Sequence, residues 1–318
     1  MHSRRWLSGA LALSWLLAVS GSSASLPVVI WHGLSDSYDS DGMKSVVLSV
    51  EALLPGTLVH SISLDDDPGT DRTDGWFGNM TTYIDHVCEQ LAALPKSKTQ
   101  HGINALGFSQ GGQFLRAYVE RCNDPPVRIL VTLGSQHNGI TKFQTCAPRD
   151  WLCRSAYSLL TASTWSPFVQ GRLVPAQYYR DPNNEQSFER YLEGSNLLAD
   201  INNERELKNE TYSKNLASLR KFVMFMFDED TTVIPRESSW FAEVNETTGE
   251  VVKLEDRKIY QEEWLGLQAL DKRGGIEYGL LRGAHMQFSD EVLKEIVLKY
   301  FKSTPEDLEA ELFVRPDL

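Results

Sequence analysis

Short apolar runs alternate with amphipathic stretches along most of the chain. The apolar runs have the length and β-branched or aromatic content of buried strands, and they cover residues 26–31, 57–63, 103–106, 127–133, 221–227 and 276–281. The stretches between them space their apolar residues at helical intervals, as in 43–54, 83–94 and 113–121. This alternation predicts an α/β fold, with a mainly parallel sheet and helices on both faces.

The alternation stops after the strand that ends near Leu133 and resumes at the strand that starts near Lys221. The segment between them holds no comparable β-run, but it contains aromatic and leucine-rich helical stretches such as Tyr157–Trp165 and Phe168–Tyr179. We interpret residues 136–220 as a helical insertion that caps one end of the sheet. Apolar inner walls in such a cap would suit an acyl chain, or they would simply pack the cap's own core.

The first residues have the pattern of a secretory signal peptide. Arg4 and Arg5 precede an apolar run over Leu7–Val19, which is too short to span a bilayer comfortably. Small residues around Ala24 then suit cleavage after that position. An uncleaved membrane anchor is the alternative. No later run is long and apolar enough to cross a membrane, so no stable membrane span is expected in the mature protein.

The predicted organisation therefore has four parts. A signal peptide over residues 1–24 is followed by a first part of the α/β core over 25–135 and by the insertion over 136–220. A second part of the core covers 221–318.

The stretch Gly107-Phe108-Ser109-Gln110-Gly111-Gly112 joins a predicted strand directly to a predicted helix. A serine with glycines two residues before and after it, at a strand–turn–helix junction, is typical of the nucleophile elbow of α/β-hydrolases. Side chains at the flanking positions would collide with the strand and the helix, and glycine avoids both collisions. The first N–H groups of the helix would face the place where negative charge develops. The sequence therefore predicts an α/β-hydrolase fold with Ser109 as its nucleophile.

Two further side chains are expected to join Ser109 at the carboxyl ends of strands. His285 follows the last predicted strand, whereas the other histidines lack this setting or precede the candidate acids. Asp228 and Asp230 both follow the strand over 221–227, and spacing does not choose between them. The chain order serine, acid, histidine is that of α/β-hydrolases. A serine hydroxyl needs a base to become a good nucleophile, and the acid orients that base.

An oxyanion hole is predicted beside the first strand, which ends at His32-Gly33-Leu34. Hydrolases of this fold place an oxyanion loop here, so the backbone N–H of Leu34 is one predicted donor and that of Gln110 is the second. Such donors lower the barrier by roughly 3 kcal/mol each. His32 itself is predicted to be a structural turn histidine with no acid–base role.

Charge and composition narrow the range of partners. The 318 residues are 42% hydrophobic, which is ample for a packed core, and they carry a net charge of −12. An acidic protein repels phosphate backbones, so nucleic acid is not a predicted partner. No cofactor and no metal site are predicted. The acidic stretch Asp65-Asp66-Asp67 lacks the spacing of a calcium-binding EF-hand, so it is predicted to be a solvated loop.

Four cysteines follow the predicted signal segment, and an even number in a secreted chain favours disulfides. Cys146 and Cys153 are close enough in sequence for a local loop, which leaves Cys88 to pair with Cys122. Three pairings are formally possible. A zinc site is not expected, because no C-x-x-C spacing occurs.

Three N-x-T sequons, at Asn79, Asn209 and Asn245, are glycosylation candidates on exposed loops.

Several motifs together carry a family resemblance. They include HGLSD from His32, GFSQGGQFLRA from Gly107, GSQHNG from Gly134, KNLASLRKFVM from Lys214 and AHMQFS from Ala284. With these motifs the chain resembles the palmitoyl-protein thioesterase family, lysosomal type, over nearly all of its mature length. One departure lies after the first His-Gly turn, where animal members often carry cysteines. Residues 35–40 contain none, so no disulfide can fix this loop.

The resemblance implies a serine hydrolase that removes long fatty acyl groups from cysteine thioesters of lipidated proteins. It selects Asp230 as the acid, supports the pairs Cys88–Cys122 and Cys146–Cys153, and implies that the insertion lines a fatty-acid groove. The expected location is the secretory pathway, with the lysosome or vacuole, or the exterior, as destination. From the residues alone, a secreted oxyester lipase or esterase is the alternative, and a non-catalytic lipid-binding protein on this fold is another.

Overall fold

The computed structural model describes residues 25–143, 146 and 149–302. The predicted signal peptide and the polar tail after Thr304 lie outside these residues. The described residues contain eight strands: β1 (Val28–Trp31), β2 (Val59–Ser61), β3 (Ile103–Phe108), β4 (Val127–Leu133), β5 (Lys221–Phe227), β6 (Glu243–Val244), β7 (Val251–Val252) and β8 (Ile276–Leu281).

Six of these strands form one sheet in the order β2-β1-β3-β4-β5-β8, and every neighbouring pair is parallel. The two remaining strands, β6 and β7, form a separate antiparallel pair that the sequence patterns did not predict. The main sheet confirms the predicted α/β-hydrolase class. Its parallel strands also bring all of their carboxyl ends to one edge, where clefts form in such sheets.

Helices connect the strands and cover both faces of the sheet. The described α-helices are α1 (Asp41–Leu53), α2 (Pro68–Asp74), α3 (Met80–Ala92), α4 (Lys96–Thr99), α5 (Gln110–Arg121), α6 (Trp151–Ser163), α7 (Pro167–Gln170), α8 (Val174–Gln177), α9 (Glu185–Gly194), α10 (Leu198–Ile201), α11 (Glu210–Ala217), α12 (Lys258–Gln261), α13 (Leu267–Lys272) and α14 (Asp290–Tyr300). Two short 3₁₀ helices cover Arg236–Trp240 and Leu254–Asp256. Every described helix is too short or too polar to cross a lipid bilayer.

The sheet is buried on both faces, as the apolar strand patterns predict. In β1, Val29 and Trp31 pack into the core with α3 and α5, whereas Val28 and Ile30 pack into a second core with α1 and α14. Successive side chains of a strand point to opposite faces, so a strand that is apolar at every position has to be covered on both sides.

The segment between β4 and β5 is mainly helical where the structure describes it. Helices α6–α11 separate β4 from β5, and the described residues between these strands add no strand to the main sheet. A buried cluster of charges ties the insertion to the second part of the core. In that cluster, Arg180 lies 2.7 Å from Glu204 and 2.7 Å from Glu243, and Arg257 lies 2.8 Å from Glu243. Burial opposes ionisation of Glu204, but the two arginines outweigh it and lower the pKa of this carboxyl.

The four cysteines form two bridges. Cys88 on α3 is bonded to Cys122, which follows α5, with a Cα–Cα distance of 6.0 Å. Cys146 is bonded to Cys153 on α6, with a Cα–Cα distance of 5.6 Å. The first bridge therefore links the helices on either side of β3, and the second closes a short loop at the start of α6.

Short elements differ most from the sequence patterns. Strand β2 covers only Val59–Ser61, whereas the apolar pattern extends over 57–63. The acidic stretch predicted as a loop does expose its three aspartates, but it also begins α2. Asp67 caps that helix by accepting a hydrogen bond of 2.8 Å from the N–H of Thr70, and Pro68 occupies the first helical position.

Candidate active site

Ser109 occupies a strained turn between β3 and α5. Its backbone has φ 51° and ψ −124°, a region that residues with a side chain rarely adopt. The conformation is held because the N–H of Ser109 donates to the carbonyl of Leu133 on β4, at 2.8 Å. Ser109 is also the N-terminal flanking residue of α5, so the first N–H groups of this helix lie beside its side chain.

The glycines around Ser109 are required by close contacts. A Cβ at Gly107 would lie 2.2 Å from the Cα of Gly112, and a Cβ at Gly111 would lie 2.4 Å from the carbonyl oxygens of Trp31 and His32. These are the collisions with helix and strand that the elbow motif predicts. Gly112 is equally constrained, because a Cβ there would lie 2.1 Å from Oγ of Ser135.

Three side chains predicted to meet do lie together. Nε2 of His285 is 2.9 Å from Oγ of Ser109, and Nδ1 of His285 is 2.6 Å from Oδ2 of Asp230. These residues are far apart in the chain, and each follows the carboxyl end of a strand or its succeeding turn. An imidazole placed between a hydroxyl and a carboxylate can accept the hydroxyl proton while the carboxylate stabilises the imidazolium.

The two aspartates after β5 have different partners. Asp230 is buried, and its Oδ1 accepts hydrogen bonds from the backbone N–H groups of Thr232 and Val233, at 2.8 and 2.9 Å. Asp228 instead accepts from the N–H of Gly283, at 2.8 Å, and so supports the loop that carries His285. Sequence spacing left open whether Asp228 or Asp230 pairs with the histidine. In the structure, it is Asp230 that faces the imidazole of His285.

The two predicted oxyanion donors flank Ser109. Gly33 packs so tightly that a Cβ there would lie 3.1 Å from the Cβ of Ser109, and Leu34 follows it at the wall of the cavity. Gln110 is the first residue of α5. Its side chain is fixed by a hydrogen bond of 3.2 Å to the carbonyl of Gly75 and one of 3.4 Å from the hydroxyl of Tyr178.

A cavity of about 560 Å³ opens onto Ser109 and His285. This volume lies within the ~300–1,000 Å³ of small-molecule sites. Its walls come from α1, from the insertion and from loops of the core, and they are mainly apolar, with Met43, Trp76, Phe143, Ala156, Leu160 and Val233 among the lining residues. The described residues hold no cluster of histidine, cysteine and acidic side chains suited to a metal ion.

Comparison with known proteins places this site in a family. The family model described as palmitoyl protein thioesterase matches residues 27–285, a range that includes Ser109, Asp230 and His285. The chain belongs to the palmitoyl protein thioesterase family. It is accordingly an enzyme of the thioesterase class on an α/β-hydrolase fold.

Individual relatives agree with the family model. Palmitoyl-protein thioesterase 1 of Caenorhabditis elegans is 37% identical over 87% of this chain and 92% of its own length. Palmitoyl-protein thioesterase 3 of Dictyostelium discoideum is 34% identical over 82% of this chain and 86% of its own. Lysosomal thioesterase PPT2 of Homo sapiens is 28% identical over 79% of this chain and 78% of its own length.

The loop after β1 is fixed by hydrogen bonds, although it lacks the cysteines that animal members of the family often carry. Nε1 of Trp76 donates to Oγ of Ser35, at 2.9 Å, and the N–H of Tyr38 donates to Oδ2 of Asp71, at 2.8 Å. Both partners come from the segment of α2 and the turn after it. These contacts hold the loop in place without a covalent bridge.

The sequence patterns did not predict the roles of two residues near the site, Gly134 and Asp71. Gly134 has φ +59°, and a Cβ there would lie 3.1 Å from Cε1 of His285. Its position directly after β4 was a usable signal, because the carboxyl end of a strand is where the site forms. Asp71 is wholly buried beside His32, but nothing in its local sequence distinguishes it from the exposed aspartates nearby.

His137 shows why a strand-end position alone is insufficient. It is wholly buried, lies 3.0 Å from Oγ1 of Thr132 and stacks on Phe241 at 5.1 Å between ring centres. Burial and the charge of Arg116 lower its pKa well below the ordinary value. This histidine is therefore a neutral core residue.

Proposed function

We propose that the protein hydrolyses long-chain fatty acyl thioesters on the cysteines of lipidated proteins or peptides, with Ser109, His285 and Asp230 as catalytic residues. The observation that carries the proposal is the hydrogen-bonded chain from Asp230 through His285 to Ser109, at the mouth of a largely apolar cavity. Family membership supports the choice of a thioester over other acyl compounds.

In the first half-reaction, Nε2 of His285 takes the proton of the Ser109 hydroxyl as Oγ attacks the thioester carbonyl. The carbonyl oxygen becomes an oxyanion, for which the N–H groups of Leu34 and Gln110 are the proposed donors. The carbon–sulfur bond then breaks, and the cysteine sulfur leaves with the proton from His285. A thiol, with a pKa of about 8.5, needs less help from an acid than an alcohol would.

In the second half-reaction, water replaces the thiol. His285 accepts a proton from this water as its oxygen attacks the acyl-serine carbonyl, and a second oxyanion forms in the same place. Collapse of this intermediate breaks the bond to Oγ, and His285 returns the proton to Ser109. The products are a free fatty acid and the regenerated enzyme.

The acyl chain is assigned to the cavity between the core and the insertion. Side chains from both sides, including Met43 on α1 and Leu160 on α6, line it. Burying each methylene contributes about 0.8 kcal/mol, so a long chain gains affinity that a short one does not. The insertion over 136–220 would then act as the acyl-binding part of the protein, between the two parts of the core.

The proposed location is the lysosome. The human relative is named a lysosomal thioesterase, and the first 24 residues have the pattern of a secretory signal. Asn209 and Asn245 are exposed and are the proposed glycan carriers. Asn79 is half-buried, and its Oδ1 accepts a hydrogen bond of 2.8 Å from Asn196, which makes it a poorer acceptor.

The test compares three substrates: a palmitoyl thioester, the matching palmitoyl oxyester and a butyryl thioester. The leaving groups are the same apart from the sulfur or oxygen atom. We expect kcat/KM to be highest for the palmitoyl thioester, and we expect Ser109→Ala to abolish both turnover and labelling by a fluorophosphonate probe. A strong preference for the oxyester would overturn the substrate assignment. Labelling that persists in Ser109→Ala would overturn the assignment of the nucleophile.

A further inference from the structure

His32, at the start of the loop that carries Leu34, has an oxygen acceptor on each ring nitrogen. Its Nδ1 lies 2.9 Å from the carbonyl oxygen of Gly33, and its Nε2 lies 3.0 Å from Oδ2 of Asp71. In the second contact the two atoms are within ion-pair distance, but their alignment is not that of a good hydrogen bond. A neutral imidazole carries one N–H and would turn a lone pair toward one of these oxygens, whereas an imidazolium offers an N–H to each.

The carbonyl of Gly33 belongs to the same peptide unit as the N–H of Leu34. In a trans peptide these two groups point in opposite directions, so fixing the carbonyl fixes the direction of the N–H. The carbonyl is held by His32 and by the N–H of Asp36, at 3.3 Å. Gly33 also packs against Ser109, so this peptide has little room to turn.

Asp71 joins His32 to the rest of the loop. The carboxylate is wholly buried and accepts from the N–H of Tyr38, at 2.8 Å, and from the N–H of Leu64, at 2.7 Å. One carboxylate thus holds both ends of the loop over 32–38 and anchors it to the segment after β2. Oδ2 of the same carboxylate also faces Nε2 of His32, so the aspartate joins the ring to both of these backbone groups.

We propose that His32 is a positioning residue, held as an imidazolium between Asp71 and the Gly33 carbonyl, that fixes the Leu34 N–H as an oxyanion donor. The proposal rests on the proposed function, because it assigns that N–H to the same catalytic site. Loss of one ring proton would leave one of the two oxygens facing a lone pair and would weaken the contacts that hold the peptide in this orientation. Activity should therefore fall as the pH rises through the pKa of His32.

The charges around His32 agree with this direction. Burial by itself lowers the pKa of His32, but the nearby Asp71 carboxylate, the Gly33 carbonyl and Asp36 together raise it above the ordinary value. Asp71 faces the ring from α2, and Asp36 lies on the ring's own loop. Because the pKa is raised in the folded protein, the imidazolium persists above the pH at which a free histidine, with a pKa of about 6.5, would lose its proton.

The kinetic test is Asp71→Asn, which removes the charge but keeps an amide oxygen for one backbone N–H. We expect kcat on the palmitoyl thioester to fall on the order of 10²-fold at neutral pH, the effect of losing one oxyanion donor, with little change in KM. The alkaline limb of the kcat profile should move to lower pH, so that the loss shrinks several-fold at pH 5. Asp36→Asn is the matched control and should move this limb much less. A loss that is the same at every pH would overturn the proposal.

A second test needs no activity and no altered loop. In the Ser109→Ala protein, ¹⁵N NMR of the ring nitrogens of His32 should show both predominantly protonated at pH 6.5, where a free histidine would be only about half protonated. A single neutral tautomer at that pH would overturn the proposal even if Asp71→Asn proved too unstable to study. If the ring is an imidazolium but the unaltered enzyme cleaves no thioester, the proposed function fails while the assignment of His32 as a buried cation stands.

Discussion

Two histidine–carboxylate pairs lie near Ser109, and only one of them is arranged to act as a base. In the pair His285–Asp230, the second ring nitrogen faces a hydroxyl, which can donate its proton. In the pair His32–Asp71, it faces a carbonyl, which can only accept. The comparison teaches that a histidine beside an aspartate is not by itself a catalytic unit. The group on the other nitrogen decides its chemistry.

The two pairs also differ in how exposed their histidines are and in what holds their carboxylates. His285 keeps 15% of its side chain exposed and borders the cavity, whereas His32 is only 1% exposed. A catalytic base has to reach substrate and water, but a positioning group gains from exclusion of both. Asp230 is held by two N–H groups of its own turn, and Asp71 is held by two separate segments, as suits a carboxylate that fixes a loop.

The largest expected effect comes from removing the base. His285→Gln should lower kcat about 10⁴- to 10⁶-fold on a palmitoyl thioester, because His285 is the proposed acceptor of the Ser109 proton. His60→Gln is the control, since that ring contacts Gln90, at 3.0 Å, and does not line the cavity. It should leave turnover unchanged. Retention of more than about 1% of activity in His285→Gln would contradict the assigned role.

The carboxylate of the catalytic pair gives the next effect. Asp230→Asn should lower kcat about 10³- to 10⁴-fold, because an amide no longer enforces the tautomer that places the free lone pair on Nε2. Asp228→Asn keeps an oxygen for the N–H of Gly283 and should cost less than about tenfold. Steady-state kinetics of the two variants side by side separate the roles. Equal losses would show that the two aspartates act only through the loop.

Packing against the catalytic ring gives a smaller effect. Gly134 and Gly249 both have a left-handed backbone, with φ +59° and +72° respectively. Gly134→Ala puts a Cβ 3.1 Å from Cε1 of His285, whereas Gly249→Ala puts one in open space. Both variants should lose about 1–2 kcal/mol of stability to left-handed strain, measured by denaturant unfolding. Only Gly134→Ala should also lower kcat, by up to about 10²-fold, because it displaces the base. Unchanged kcat would mean that the ring tolerates this movement.

The smallest effect concerns the loop after β1. Trp76→Phe removes the hydrogen bond of 2.9 Å to Ser35, worth about 1 kcal/mol, and should lower kcat about fivefold by loosening the loop. Trp240→Phe removes a comparable bond of 2.9 Å to the carbonyl of Met224. Trp240→Phe should lower the thermal unfolding temperature but leave kcat unchanged, so both quantities are measured for each variant. A similar fall of kcat in both variants would count against control of the site by this loop.

Local patterns were enough to predict the main strands, the elbow and the histidine. The continuous apolar run of β1, the glycines around Ser109 and the strand-end position of His285 are all properties of a few neighbouring residues. Short elements were less predictable. The helix α2 depends on a cap and a proline within an acidic stretch, and β6 and β7 pair with each other outside the main sheet.

The sequence by itself determined the α/β framework and which residue types could perform acyl transfer, because periodicity and turn chemistry act over a few residues. Only the tertiary structure decided that Asp230 rather than Asp228 faces His285, that Gly134 packs on the ring, and that Asp71 lies beside His32. These contacts join residues that are distant in the chain. Their partners are set by how strands and loops stack, which no local pattern records.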